Sequence, residues 1–357
     1  MREIGEVRNG AILFNESIIA TGTTQEVQAY VKENKLKVDE IVSADGKTVL
    51  PGFVDSHTHI VFAGSRSDEF AKRLRGATYE EIALEGGGIQ RTMNATRAAS
   101  FDELVERGMR LAQSAISLGT TTIEVKSGYG FTTETELRQL QAIRELRRIL
   151  PIDVVATFLG AHDFPPEYKD NRSGYVDLLC NEMIPQVAER GLAEFCDAFV
   201  DRGYYTLDQA DRIMKTAQKH GLKVKMHCDE LADVSAAAKA AELGAISADH
   251  LLFVSDESLE KMKQSGTIAT LLPATAYNIR MPYAPARKII DKGMAVALAT
   301  DCNPGSCFTE NMQFVLSLAV TNMGMNCEEA ISAATINGAA ALGRNKSVGS
   351  LERGKSA

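Results

Sequence analysis

"KTVLPGFVDSHTHIVFAG", Lys47 to Gly64, is the stretch on which the fold turns. An apolar run from Val49 to Val54 carries no polar alternation, and the chain then presents Asp55, His57 and His59. Such a run is the pattern of a strand buried on both faces, as in a parallel sheet. Positions i and i+2 of a strand face the same side, so the two imidazoles can point into one cavity.

The same rhythm of short apolar run, polar loop and amphipathic stretch recurs down the chain. Eight strands are expected: Val49–Val54, Thr121–Val125, Val154–Leu159, Phe195–Val200, Leu222–Met226, Ala245–Ala248, Thr267–Leu272 and Met294–Ala299. Between them, Ser100-x-x-Glu103, Thr133-x-x-Glu136 and Thr206-x-x-Gln209 read as capping boxes that open helices. Gly119 and Gly221 stand where helices end. Eight strand–helix units in series favour a closed (β/α)8 barrel, an α/β fold, over an open doubly wound sheet. The barrel is expected over 49–344, with an extra helix from Cys327 to Leu342. Residues 1–48 lack the helical rhythm; "GAILFNESIIATG" reads as a hairpin. With 345–357 they are expected to build a small β-sandwich domain from the termini, one that looks incomplete.

Composition narrows the function. The 357 residues are 45% hydrophobic and 24% charged, enough for a large core. A formal charge of −8 argues against nucleic acid as a partner. No apolar run reaches the length of a membrane span, and no basic-then-apolar leader opens the chain. The six cysteines are scattered without a CxxC pair, as for free thiols in a reducing compartment. A cytoplasmic protein is the expectation.

In a barrel of this class, catalytic groups lie at the C-terminal strand ends. There the sequence places Asp55, His57 and His59 after strand 1, "EVKSGYG" after strand 2 and His162 after strand 3. His227 and Glu230 follow strand 5, His250 strand 6 and Asp301 strand 8. A lone histidine at a strand end is more often hydrogen-bonded structure than a ligand, and Asp301 before Asn303-Pro304-Gly305 could simply open a turn. Five of the six histidines at one rim outweigh those readings; the sixth, His220, ends a helix and is structural. His57, His59, His227 and Asp301 are assigned as ligands, with a water in the next position. Three imidazoles and a carboxylate suit one transition-metal ion per subunit, zinc or iron, divalent or trivalent, rather than calcium or magnesium. An ion of that kind lowers the pKa of a bound water, and hydrolysis is the implied chemistry.

HxH after strand 1, histidines after strands 5 and 6 and the aspartate after strand 8 resemble the amidohydrolase superfamily of metal-dependent hydrolases. Within it, "DSHTHIVFAGSRSDEF", "GGGIQRTMNATRAAS", "TTTIEVKSGYG", "LGAHDFP" and "ATDCNPGS" are similar to the imidazolonepropionase family, over nearly the whole chain from Asp45 to Gly354. The resemblance implies opening of the 4-imidazolone-5-propanoate ring to N-formimidoyl-L-glutamate, in histidine degradation. It also implies chains longer at both ends than this one. The carboxylated lysine that bridges two metals in many superfamily members lies on strand 4; here strand 4, "EFCDAFVDRG", has none, and Lys126 is on strand 2. A mononuclear site is expected.

The resemblance further assigns Glu230 to proton transfer and His250 to the oxyanion, as a protonated or NH-donating imidazole. Asp301 counts as catalytic as well as ligating. Arg66 is expected on the propanoate tail, because a guanidinium forks a carboxylate. Tyr129 and His162 are expected on substrate, with Tyr79 a weaker candidate. Asn303, Gly305 and Ser306 resemble a product-binding loop. Gly86–Gly88 reads as a loop near the mouth, not a phosphate cradle. The alternatives are another superfamily hydrolase, such as a cytosine or guanine deaminase, or a non-catalytic barrel scaffold. A homodimer is expected.

Overall fold

The computed structural model describes residues 3–76 and 87–357. Strands β1 (Gly10–Phe14) and β2 (Ile18–Thr23) pair antiparallel as the expected hairpin. The other strands are parallel: β3 (Phe53–Asp55), β4 (Thr120–Lys126), β5 (Asp153–Ala161), β6 (Phe195–Val200), β7 (Lys223–Val224), β8 (Met226–Cys228), β9 (Ser247–His250), β10 (Ile268–Leu271) and β11 (Val296–Leu298). Each lies beside its predecessor, and β7 and β8, both paired with β6, are two pieces of one barrel strand interrupted at Lys225. Backbone bonds beyond β3 and β11 close the ring. The Asp301 amide donates to the His57 carbonyl at 2.9 Å and the His59 amide to the Cys302 carbonyl at 2.8 Å. The eight-position α/β barrel expected from the sequence is the fold.

The barrel strands are buried almost throughout, which is why their sequences do not alternate. The last helix covers the end where the strands begin. Its Ala339 and the following Leu342 pack on Val54, Val155 and Phe195, and its Ala341 on Ile268 and Ala297. That leaves the opposite end, where β3, β8 and β9 deliver histidines, for the site.

Several boundaries differ from expectation. The first barrel strand begins at Phe53, because Val49 and Leu50 are 52% and 36% exposed and lie outside the sheet. The helix expected over Cys327 to Leu342 is two helices, Cys327–Ala334 and Ile336–Ala341. Thr335 between them takes a non-helical backbone (φ −126°, ψ −93°), and the turn aims the second helix at the barrel end. The capping boxes at Ser100/Glu103 and Thr206/Gln209 form as expected. The third does not: Thr132 caps the helix Thr133–Ile149, and Glu136 turns inward.

The N-terminal segment also departs from an all-β reading. A helix, Thr24–Glu33, follows the hairpin, opened by a Thr23/Glu26 capping box. No sandwich forms among the described residues. The termini do meet: the Ile18 amide donates to the Lys355 carbonyl and the Ile18 carbonyl accepts from the Gly354 amide, both at 2.8 Å. We infer that these pieces form one small unit, which rests on the barrel through Val348, packed against the cluster of Val54, Val155, Phe195, Ala339 and Leu342.

Candidate active site

The extended backbone after β3 sets His57 and His59 two residues apart, and their rings converge as the i, i+2 spacing demands. His57 Nε2 and His59 Nε2 are 3.2 Å apart, and Asp301 Oδ1 lies 3.5 Å from the first and 3.4 Å from the second. His227, on β8, brings its ring centroid to 4.5 Å from that of His57. The four residues assigned as ligands therefore meet, each buried. His250, at the end of β9, is close as well: one nitrogen each from His57, His227 and His250 lie within 4.8 Å of one another.

Buried polar atoms are normally hydrogen-bonded. Here His59 Nδ1, His227 Nε2 and both ring nitrogens of His250 have no hydrogen-bond partner. Burial holds His57 and His59 well below the usual imidazole range, so both rings are neutral. Neutral imidazole nitrogens facing each other and a carboxylate oxygen fit a cation. The nitrogen-rich set fits a divalent transition metal.

The backbone is held in place for this. His250 (φ 77°) and Asp301 (φ 55°) occupy the left-handed region, uncommon for residues with a side chain. Thr275 donates to Asp301 Oδ2 at 2.7 Å, leaving Oδ1 for the histidines. Two further carboxylates that sequence reasoning missed stand behind the imidazoles. Asp249 Oδ2 is 2.7 Å from His57 Nδ1, and Asp197 Oδ2 is 3.0 Å from His227 Nδ1. The available signal was an acid inside an apolar strand run, in "FCDAFV" and "ISADH".

Glu230 sits beside the cluster, its carboxylate 3.5 Å from His250 Nδ1. Burial, then the negative charges of Asp301 and Asp201, push its carboxyl up to about 8. Burial lowers His250 to about 3, so the imidazole is neutral; of its two expected forms, the NH donor is the one this environment favours. Asp201, also missed from sequence, fixes Glu230 by accepting its backbone amide.

On the other side of His59, His162 stacks at 5.2 Å and 17°, and Tyr129 lies 5.3 Å from His162. Gly128 carries φ +112°, the turn that swings Tyr129 inward, and His162 Nδ1 meets the Gly128 carbonyl at 3.0 Å. Glu136 holds this loop by accepting the amides of Gly128, Gly130 and Phe131. Burial keeps the Tyr129 phenol well above its usual range, and Arg66 and Asp301 are near enough to act on it.

Arg66 is buried, with Nε on Glu69 at 2.8 Å and its guanidinium so close to Gly305 that any side chain there would collide with it. Asn303 is internal to its loop: Oδ1 accepts the amides of Gly305 and Ser306, and Nδ2 donates to the Asp301 carbonyl. The amides of Gly305 and Ser306 are thus spent on Asn303, so this loop presents shape rather than free donors. Tyr79 and Gly86 lie outside the described residues. His220 is the C-cap of the helix Leu207–Lys219.

Residues 48–357 match the amidohydrolase family. A relative from Symbiobacterium thermophilum named imidazolonepropionase is 51% identical, across 99% of this chain and 84% of its own length. Another of the same name, from Geobacillus thermodenitrificans, is 49% identical across 100% of this chain and 84% of its own. The chain belongs to the imidazolonepropionase family of amidohydrolases. Its fold is shared more widely. A 5-methylcytosine deaminase from Klebsiella pneumoniae superposes with TM-score 0.73 at 16% identity, covering 97% of this chain and 86% of that one. A guanine deaminase from C. acetobutylicum superposes with TM-score 0.68 at 16% identity, covering 100% and 87%. At that distance the likeness speaks for the amidohydrolase barrel alone.

Proposed function

We propose that this amidohydrolase opens the ring of 4-imidazolone-5-propanoate to N-formimidoyl-L-glutamate. Water's oxygen ends on the ring carbonyl carbon as a carboxyl group, the bond from that carbon to the ring nitrogen breaks, and a proton from water ends on that nitrogen. The observation that carries the reading is the buried Glu230 carboxyl, poised near neutrality beside His250 and the four-ligand cluster. A carboxyl in that range can both take a proton from water and return it to the leaving nitrogen.

A divalent metal held by His57, His59, His227 and Asp301 would polarise the carbonyl and acidify water, and we infer zinc or ferrous iron from the donor set. His250, neutral, donates its N–H to the oxygen that gains charge. Arg66 pairs with the propanoate, and Tyr129 and His162 hold the ring against His59. The carboxylate-bearing substrate gives Arg66 a purpose that a nucleobase would not. Six unpaired cysteines, five of them buried, support a reducing compartment such as the cytoplasm. No helix among the described residues is long and apolar enough to cross a membrane. A homodimer is the assembly we infer, to be checked by sedimentation.

The test follows the ultraviolet absorbance of freshly generated imidazolone propanoate. Enzyme-dependent loss, with formimidoyl-glutamate appearing and chelation abolishing both, is expected. Folded, metal-loaded protein that leaves the absorbance unchanged would exclude this substrate.

A further inference from the structure

Inside the barrel, beneath the ligand cluster, two lysines are wholly buried: Lys126 at the end of β4 and Lys225 between β7 and β8. Lys126 Nζ is 2.8 Å from Asp197 Oδ2, 2.9 Å from Glu124 Oε2 and 3.9 Å from Asp249 Oδ2. Lys225 Nζ is 3.0 Å from Glu124 Oε2 and 3.9 Å from Asp249 Oδ2, and donates to the Ser56 carbonyl at 2.9 Å. Two ammoniums thus face three carboxylates in a layer with no exposure to solvent.

Closing a barrel does not call for this. Such interiors are filled well by Val, Ile and Leu, and replacing buried ion pairs by packed apolar groups is often neutral or stabilising. What packing leaves unexplained is the aim of the layer. Asp249 meets Nδ1 of His57 at 2.7 Å, and Asp197 meets Nδ1 of His227 at 3.0 Å while accepting the His227 backbone amide at 3.2 Å. With His57 Nδ1 hydrogen-bonded to Asp249 and His227 Nδ1 within ion-pair distance of Asp197, Nε2 of each ring is left to the cluster. Carboxylates behind metal-binding imidazoles fix ring orientation, and their loss commonly weakens metal binding ten- to a hundredfold.

We propose that Lys126 and Lys225 are positioning residues for the metal. They lock Asp197 and Asp249, which in turn set the rings of His227 and His57 from two different strands. Lys126 is the keystone, because it alone makes a short contact with Asp197 and also approaches Asp249. The inference rests on the metal reading above.

The test measures zinc affinity of the full chain by competition with a chromophoric chelator, beside the melting temperature of the metal-free protein. Lys126→Met and Asp249→Asn are compared with the parent, with Asp249→Ala as the more severe step. Expected are about ten- to hundredfold weaker zinc binding in Lys126→Met and Asp249→Ala, a smaller loss in Asp249→Asn, whose amide oxygen still accepts from Nδ1, and no parallel trend in metal-free melting. Nitrogen chemical shifts of the parent's His57 and His227 should report the proton on Nδ1. Folded variants that hold zinc within twofold of the parent would overturn the proposal and leave the metal reading standing. If Lys126→Met does not fold, the Asp249 pair decides by the same criterion. A parent that takes up no zinc or iron would overturn the metal reading, and this inference with it.

Discussion

Asp201 accepts the backbone amide of Glu230 at 2.7 Å, and the same oxygen takes the Leu231 amide at 2.8 Å. One carboxylate just after β6 thereby fixes the loop that carries Glu230, the proposed proton-transfer group. Asp201→Ala leaves both amides unpaired and lets Glu230 drift. A displacement of about 1 Å can cost about a hundredfold in rate. Steady-state kinetics should show kcat falling by about ten- to a hundredfold with a much smaller change in KM.

Glu230→Gln removes the proposed proton carrier while keeping its shape. A loss of about 10²- to 10⁴-fold in kcat is expected, with metal content unchanged. Activity retained within threefold would assign proton transfer elsewhere.

The same carboxyl governs stability of the metal-free protein near neutral pH. Folded Glu230 keeps its proton up to about 8, whereas the unfolded chain releases it near 4.5, so its contribution falls as pH rises between those values. Asp55, raised by burial to about 7, acts in the same direction over the lower part of that window. The buried imidazoles of His57, His59 and His162 are held well below 6.5 and that of His250 falls to about 3, so they act oppositely, losing stability as pH falls below 6.5. Between 6.5 and 8 the carboxyl effect stands apart. Melting of the metal-free protein should drop across that interval, and the drop should be shallower in Glu230→Gln.

Arg66→Met should raise KM for imidazolone propanoate by about ten- to a hundredfold, the worth of a charge-assisted hydrogen bond, while zinc uptake stays at the parent level. Arg66→Lys should recover only part of the loss, because an ammonium cannot fork a carboxylate. An unchanged KM in Arg66→Met would remove it from the substrate's tail.

Glu136→Leu strips the amides of Gly128, Gly130 and Phe131 of their acceptor. Each buried donor left unpaired costs about 1–3 kcal/mol, so urea denaturation should show a loss of several kcal/mol. Glu136→Gln, which still accepts, should lose less, and its KM should rise as Tyr129 loosens.

The parallel strands were legible because burial on both faces leaves continuous apolar runs, and the rim histidines because strand ends collect function. The limits of the first strand were not, since Val49 and Leu50 look the same in sequence whether they enter the sheet or stay outside it. Thr133 and Glu136 have the spacing of a capping box, yet that pattern is silent about a loop across the barrel competing for the carboxylate. The helix Thr24–Glu33 begins with the same kind of box at Thr23 and Glu26, hidden among residues that otherwise read as β structure. Lys126 and Lys225 were the least readable. Lysine is almost never buried unless paired, and key partners here are distant in sequence: Asp197 lies 71 residues from Lys126 and Glu124 lies 101 from Lys225.

The seam between the first and last barrel strands has a temporal meaning. His57 and His59 leave the ribosome long before Asp301, yet His59 bonds to the Cys302 carbonyl and Asp301 to that of His57. A nascent chain holds two imidazoles with no carboxylate to complete them, and only a finished ring offers the full set. With the proposed ligand set, capture of an ion would wait for the last strand to dock, tying metal binding to completion of the fold.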